Sequence, residues 1–110
     1  MFKQKTCVPC KGGIPPLKIK EIVKYKKLIN ENWTVNNEAK LSNEYHFNDY
    51  MIAIKFVNEV AKLSEKEGHH PFIHINYKIV KIILFSHKIN GLHENDFIMA
   101  NKIDELIYIK

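Results

Sequence analysis

The feature that most restricts how this chain can fold is a helix-forming segment near its middle, residues 50–66. Its apolar residues recur at intervals of three and four, which is the spacing of one face of an α-helix. Asn48 or Asp49 can cap the amino end of such a helix, and Gly68 can adopt the left-handed conformation that ends one. The apolar residues form two stripes, so we expect one to pack on a sheet and the other to be available to a second subunit. The stripes consist of Tyr50, Ile54, Val57 and Ala61, and of Ala53, Phe56, Val60 and Leu63.

Helical and β-type patterns alternate on both sides of this segment. The predicted helices are residues 17–32 and 94–109, and the predicted hairpins are residues 33–47 and 72–86, the second with a turn near Tyr77 and Lys78. The order is therefore α-β-β-α-β-β-α. We predict an α+β fold with a four-stranded, mostly antiparallel sheet and helices packed on one face.

The length of 110 residues suits one domain, and an apolar content of 45% favours a folded globular protein. We expect residues 1–16, which end in Gly and Pro, to be an irregular arm and residues 17–110 to be the domain. The longest apolar run, residues 79–85, is interrupted by Lys81 and is too short to cross a membrane. Because the amino terminus also lacks the apolar stretch of a secretory signal, we expect a cytoplasmic protein with no membrane partner.

The formal net charge of +5 does not indicate a nucleic-acid-binding surface. Residues 1–30 contain eight lysines and the single acid Glu21, whereas the other eighty residues contain nine lysines and eleven acids. The positive excess is therefore confined to the amino-terminal part of the chain. All seventeen basic residues are Lys, so the bidentate guanidinium contacts common in base and phosphate recognition are missing. We predict no nucleic-acid partner.

Cys7 and Cys10 are the two cysteines of the chain and form a C-x-x-C motif, which occurs in redox pairs and as half of a zinc site. No second ligand pair follows at a matching spacing, and the motif lies in a Gly- and Pro-rich stretch and not at a strand-to-helix junction. We expect two free thiols in a reducing compartment. Whether the pair binds a metal stays open.

Three histidines near a predicted chain reversal form the candidate site. His69 and His70 follow the end of the central helix, and the hairpin of residues 72–86 would bring His87 back toward them. Each of them could instead be an ordinary surface histidine. His70 and His74 would lie on the same side of a strand, so a zinc site is a further alternative.

Two carboxylates lie near these histidines in the sequence, one before the pair and one after His87. Glu65 lies in the last turn of the central helix and Asp96 in the first turn of the last helix, where acids are also common for structural reasons. A carboxylate that accepts a hydrogen bond from one imidazole nitrogen fixes the tautomer and the basicity of the other nitrogen. The combination therefore favours an acid–base site.

These residues and their spacing resemble the signature of the pterin-4a-carbinolamine dehydratase family, and the resemblance extends over nearly the whole chain. His93 departs from it, because the family usually has Thr or Ser before the final helix, and Phe72 and Ile73 replace an acidic or amide residue and often a Trp. Those two changes affect the rim of the pocket more than its chemistry. The signature positions are Glu65, His69, His70, Pro71, Tyr77, His87 and Asp96, and other similar positions are Cys7, Cys10, Trp33, Tyr45, Phe47, Asp49, Tyr50, Ser86, Gly91 and Leu92.

The resemblance implies dehydration of 4a-hydroxytetrahydropterin to quinonoid dihydropterin, in the recycling of tetrahydrobiopterin-type cofactors. It implies His69 and His87 as the acid and base, in either order, and His70 as a residue that positions the pterin and helps polarise the leaving hydroxyl. No cofactor or metal is implied, since the pterin is the substrate. The implied residues are His69, His70 and His87 as catalytic groups, Glu65 and Asp96 as supporting groups, and Trp33, Pro71 and Ile73 as the lining of the pocket.

The resemblance also implies a homodimer or homotetramer. Vertebrate members of the family act in addition as dimerisation cofactors for a homeodomain transcription factor. An interaction protein without essential catalysis is therefore the alternative function, and the second apolar stripe of the central helix could serve it.

Overall fold

The computed structural model describes residues 15–36 and 40–108, apart from the side chains of His87 and Tyr108. The predicted arm of residues 1–16, including Cys7 and Cys10, thus lies mostly outside the described residues. The order α-β-β-α-β-β-α and the α+β class are confirmed. The elements are α1 (Ile19–Lys26), β1 (Thr34–Asn36), β2 (Lys40–His46), α2 (Tyr50–Glu67), β3 (Phe72–Asn76), β4 (Ile79–Leu84), a 3-10 turn (His87–Ile89) and α3 (Glu94–Tyr108).

The four strands form one sheet in the order β1-β2-β4-β3, and the three pairings between these strands are antiparallel. Because β4 inserts between β2 and β3, β3 is an edge strand of this sheet. Phe72, the first residue of β3, pairs with Ile83 near the end of β4. The chain that enters β3 therefore lies beside the chain that leaves β4.

The core lies between the helices and one face of the sheet. Alternate side chains of β4 are buried in it, and so are those of Leu41 and Tyr45 in β2. On the other face of β2, Glu44 and His46 are exposed, although Ser42 is buried. This is the alternation expected of a sheet that is covered on one side. Completely buried members of the core are Trp33, Leu41, Ala53, Phe56, Val60, Val80, Ile82, Leu84, Leu92, Phe97, Met99, Ala100 and Ile103.

The helix α2 has the predicted ends. The carboxylate of Asp49 accepts a hydrogen bond from the backbone N–H of Ile52 at 2.8 Å, and Gly68 ends the helix with φ of 66°. The stripe that contains Phe56 and Val60 is buried against the sheet and α3. In the other stripe Tyr50 is exposed and Ile54 and Val57 are half-buried, so the described residues cover this face of α2 only in part.

The first helix is shorter than predicted: α1 ends at Lys26 and does not continue to residue 32. The following residues form turns: the N–H of Leu28 donates to the Tyr25 carbonyl, and the side chain of Asn30 accepts from the N–H of Asn32 at 2.8 Å. A local side-chain hydrogen bond of this kind competes with helical backbone pairing. Ile29 is nevertheless buried, which explains its apolar character.

The second hairpin also ends earlier than predicted. β4 stops at Leu84, and Ser86 pairs instead with Gly91 across a tight loop, with the Ser86 N–H donating to the Gly91 carbonyl at 2.8 Å. A Cβ atom on Gly91 would lie 2.6 Å from the Cβ of Pro16, so only glycine fits there. Among the described helices none combines the length and apolarity needed to cross a bilayer.

Candidate active site

The candidate site forms at one end of the sheet because the sheet topology brings two connections together. The link from α2 to β3 holds His69 and His70, and it enters the sheet next to the end of β4. The loop after β4 then leads into α3, whose first turn contains Asp96. Residues that are far apart along the chain thus meet in one cluster.

The best-defined contact of this cluster joins His69 and Asp96. Nε2 of His69 lies 2.7 Å from Oδ1 of Asp96, and the two side chains are 11% and 0% exposed. A carboxylate that accepts here requires the hydrogen on Nε2. In a neutral His69 the lone pair is then on Nδ1, the nitrogen that remains available for proton transfer.

Asp96 is held from its other side as well. Its Oδ2 accepts from the hydroxyl of Ser86 at 3.0 Å and from the backbone N–H of His93 at 2.9 Å. With the bond from His69, the buried carboxylate accepts three hydrogen bonds. Its orientation is therefore held by a side-chain hydroxyl, a backbone N–H and the ring that it supports.

His93 is the amino-terminal cap of α3, although histidine is not among the usual cap residues. Its ring Nδ1 accepts from the backbone N–H of Asn95 at 3.0 Å, while its own N–H donates to Asp96. The two residues reproduce the reciprocal pattern of a capping box, with His and Asp in place of Ser or Thr and Glu. The residue that departs from the family's usual Thr or Ser is thus connected to the carboxylate of the site.

His70 makes a second histidine–carboxylate pair. Its Nε2 lies 2.6 Å from Oε2 of Glu65, and the two side chains are 62% and 79% exposed. His69 and His70 therefore point to different carboxylates. The accessible ring of His70 can contact a ligand bound outside the cluster.

The backbone of His87 begins the 3-10 turn directly after Ser86, whose hydroxyl contacts Asp96. This places residue 87 in the loop that follows β4 and supports the cluster. The side chain of His87 lies outside the described residues, so its assignment as a catalytic group stays a prediction.

Trp33 occupies a different position from the pocket wall expected for it. The side chain is completely buried, and its Nε1–H donates to Oδ2 of Asp104 at 2.9 Å. The hydroxyl of Tyr45 donates to the other oxygen of Asp104 at 2.5 Å. Burial raises the pKa of the Asp104 carboxyl, and the bonds from Tyr45 and Trp33 oppose this rise in part. Trp33 thus joins β1 to α3 inside the core.

Pro71 and Ile73, also predicted to line the pocket, are half-buried at the start of β3. Ile73 pairs with Ile82 and packs against the core, so the part of it that remains accessible is small. A groove of about 450 Å³ elsewhere is lined by polar residues of β1, β2 and β4 and contains none of the predicted site residues. Of these two residues, Pro71 directly follows the histidine pair in the chain.

Among the described side chains of residues 15–36 and 40–108, which leave out that of His87, no three His, Cys, Asp or Glu are arranged to hold a metal ion. This range includes His70 and His74, the pair considered for zinc. Cys7 and Cys10 are not in it. His69 and His70 are instead each paired with a single carboxylate.

Two residues of the cluster were not identified as site residues from the sequence. Ser86 was only part of the family resemblance, and His93 was only a departure from it. The available signal was position: Ser86 directly precedes His87, and His93 lies three residues before Asp96, the spacing of a capping box. Neither position predicts that both residues donate to the same oxygen of Asp96.

Comparison with known proteins gives the same family from sequence and from structure. The family model described as pterin 4 alpha carbinolamine dehydratase matches residues 15–106. A relative from Rickettsia canadensis is 41% identical over 97% of this chain and 98% of its own length, and one from Methylococcus capsulatus is 47% identical over 93% and 90%. Both carry the provisional name pterin-4-alpha-carbinolamine dehydratase.

Two solved structures are similar to the chain. One is a transcriptional coactivator/pterin dehydratase from Brucella melitensis, with a TM-score of 0.77 and 27% identity over 83% of this chain and 97% of that one. The other is a pterin dehydratase-like protein described as a RuBisCO assembly factor in the alpha-carboxysome, with a TM-score of 0.59 and 26% identity over 68% and 88%. On the family model and the nearly full-length relatives together, this chain belongs to the pterin 4 alpha carbinolamine dehydratase family.

Proposed function

We propose that this protein is a 4a-hydroxytetrahydropterin dehydratase that uses histidine general acid–base catalysis. The pterin is the substrate, and the proposed reaction needs no further cofactor or metal. It would take place in the cytoplasm, in the recycling of tetrahydrobiopterin-type cofactors. The membership of the family supports the reaction class. The observation that carries the proposal for this chain is the buried pair of His69 and Asp96.

The reaction needs two proton transfers. One group removes the proton from N5 of the carbinolamine, and the electron pair released forms the double bond between N5 and C4a. The bond from C4a to the hydroxyl oxygen breaks, the oxygen keeps its electron pair, and a second group protonates it so that it leaves as water. Imidazoles suit both steps because their ordinary pKa of about 6.5 allows one ring to be neutral and another protonated near neutral pH.

The contacts of His69 support its role as one of the two groups. With Nε2 engaged by Asp96, Nδ1 can accept a proton, and the buried carboxylate stabilises the imidazolium that results. We propose His87 as the second proton-transfer group and the exposed His70, paired with Glu65, as the residue that positions the pterin and helps polarise the leaving hydroxyl.

Replacement of His69 tests the proposal. Wild-type protein should accelerate loss of the 4a-hydroxyl from a synthetic tetrahydropterin carbinolamine, followed by absorbance of the product. His69→Ala should slow this reaction roughly 10²-fold or more, the usual size of a general acid–base contribution. His74→Ala is the matched control, because His74 is an exposed histidine of β3 outside the cluster, and this variant should keep the wild-type rate.

Two results would refute the proposal. A wild-type protein that is no faster than buffer would exclude the dehydratase activity itself. If the protein is active but His69→Ala and His74→Ala have the same rate, the activity does not depend on the buried pair. Circular dichroism of both variants verifies that the comparison is made between folded proteins.

A role in protein association is the second candidate, favoured by apolar side chains that are exposed in the described part of the chain. Tyr50 and Met51 on α2 are exposed, and the ring of Tyr50 lies 6.3 Å from that of the exposed Tyr77 after β3. The similar carboxysome protein described as an assembly factor makes such a role reasonable. We propose a second copy of this chain as the partner, in a homodimer or homotetramer.

Light scattering on the purified protein measures this directly. A dimer or tetramer mass is expected, and His69→Ala should keep that mass while it loses catalysis. A monomer at micromolar concentration would exclude self-association through this face. An oligomer without dehydratase activity would favour the association role alone.

A further inference from the structure

The orientation of Asp96 depends on the groups that hold its second oxygen. Oδ1 receives the bond from His69, so rotation of the carboxylate is limited by what binds Oδ2. The two donors there are the hydroxyl of Ser86 at 3.0 Å and the backbone N–H of His93 at 2.9 Å. A hydroxyl can rotate away from its acceptor, whereas a backbone N–H moves only with the chain. His93 is therefore the more rigid of the two supports.

The backbone of His93 is in turn held by its own side chain. The ring Nδ1 accepts from the N–H of Asn95 at 3.0 Å, and the His93 carbonyl accepts from the N–H of Asp96 at 3.0 Å. With the bond from the His93 N–H to Asp96, three hydrogen bonds close the first turn of α3. Asp96 is completely buried, so water does not readily replace a lost partner there.

We infer that His93 is a positioning residue of the active site, whose ring fixes the first turn of α3 so that its backbone N–H holds Asp96 against His69. The ring acts as an acceptor only through the unprotonated Nδ1. The effect on geometry is independent of the reaction, while the effect on rate rests on the proposed dehydratase function.

Two readouts test the inference, one of them independent of catalysis. The first is the NMR signal of the His69 Nε2–H, which a strong hydrogen bond to a buried carboxylate should protect from exchange with water; its absence in His69→Ala assigns it. The second is kcat and KM for dehydration. In His93→Ala the protected signal should disappear and kcat should fall roughly 10-fold or more with KM little changed, the usual effect of losing an outer hydrogen-bond partner of a site.

Rescue and a matched control separate positioning from general loss of stability. His93→Ser supplies a common cap acceptor and should keep the signal, with kcat within about twofold of wild type. Asp49→Ala removes the cap of α2, which makes the same kind of hydrogen bond away from the site, and should leave both the signal and kcat unchanged. If His93→Ala does not fold, His93→Gly replaces it, because a cap position tolerates glycine.

The inference is overturned if removal of the ring leaves the His69 signal as in wild type, if His93→Ser fails to keep it, or if Asp49→Ala loses it equally. An inactive wild-type protein would refute the proposed function alone, because the NMR comparison still decides whether His93 positions Asp96. Loss of the signal without loss of kcat would mean that the positioning does not serve the reaction, and would overturn the catalytic part.

Discussion

The two histidine–carboxylate pairs of this protein have nearly the same length and very different surroundings. His69 and Asp96 are 2.7 Å apart with side chains 11% and 0% exposed, whereas His70 and Glu65 are 2.6 Å apart with side chains 62% and 79% exposed. Asp96 has two further donors, and Glu65 lies on the outer surface of α2. Distance alone would treat the pairs as equivalent.

Burial makes the difference. Between exposed groups, water and salt screen the attraction, and such pairs contribute about 0–1 kcal/mol. Removing one partner from a buried pair leaves an uncompensated polar group and costs about 3–5 kcal/mol. The pair of His69 and Asp96 is therefore suited to fix a tautomer and to support a developing charge. The pair of His70 and Glu65 is suited only to orient the His70 ring, which remains in contact with solvent.

The largest effect should come from Asp96→Asn. The amide cannot accept at both oxygen positions, so either His69 or the pair of donors from Ser86 and His93 loses its partner. We expect the dehydration rate to fall roughly 10²-fold or more, since the general acid–base group then has the wrong tautomer or a loose orientation. Rate measurement with a fold check by circular dichroism tests this. A rate close to wild type would show that the buried carboxylate does not support His69.

A third carboxylate, Asp104, is held by neutral donors instead of a histidine and should give an intermediate effect. Burial raises its pKa above the ordinary value of 3.8. The folded state therefore keeps the proton at a pH where the unfolded chain has lost it, so this group favours folding at low pH and its contribution falls as pH rises from about 3.8 through the raised pKa.

Asp104→Asn removes this titration and serves as the comparison. Urea unfolding of both proteins across the acidic range should show the wild type losing stability relative to Asp104→Asn as pH rises, with a constant difference once the carboxyl is ionised in both states. A difference that is independent of pH would contradict the raised pKa. A wild type that gains relative stability with pH would reverse the assigned direction.

The smallest effect should come from Glu65→Gln, the counterpart of Asp96→Asn in the exposed pair. The amide can still contact His70, and the lost charge was screened by water. We expect a change in the free energy of unfolding below about 1 kcal/mol and a dehydration rate within about fivefold of wild type, from the small strength of exposed pairs. A loss as large as that of Asp96→Asn would show that exposure does not separate the two pairs.

The sequence was a good guide to elements with a local cause. The apolar spacing of α2 and the conformational freedom of Gly68 act within a few residues, and both ends of this helix agree with the prediction. The turn at Tyr77 was found although Tyr77 has a φ of 55°, because β-type residues flank it on both sides. Membership of the candidate cluster was also indicated, since His69, Asp96 and their spacing are visible in the chain.

Features with a distant cause could not be predicted. The pairing of β2 with β4 joins two separate hairpins, and no local pattern specifies it. Trp33 was expected at a pocket, but its indole N–H donates a hydrogen bond across the core to Asp104, which is 71 residues away in the sequence. The burial of Asp96 and the exposure of Glu65 likewise depend on how the helices pack. Two acids in helix termini therefore looked alike in the sequence and differ in the folded molecule.

The most direct test of the account is a double-mutant cycle on the dehydration rate with wild type, His69→Ala, Asp96→Asn and the double variant. If the buried pair acts as one unit, the double variant should be no slower than His69→Ala alone, because Asp96 acts only through that ring. Losses that multiply would mean that Asp96 and His69 act independently, which would contradict the central claim.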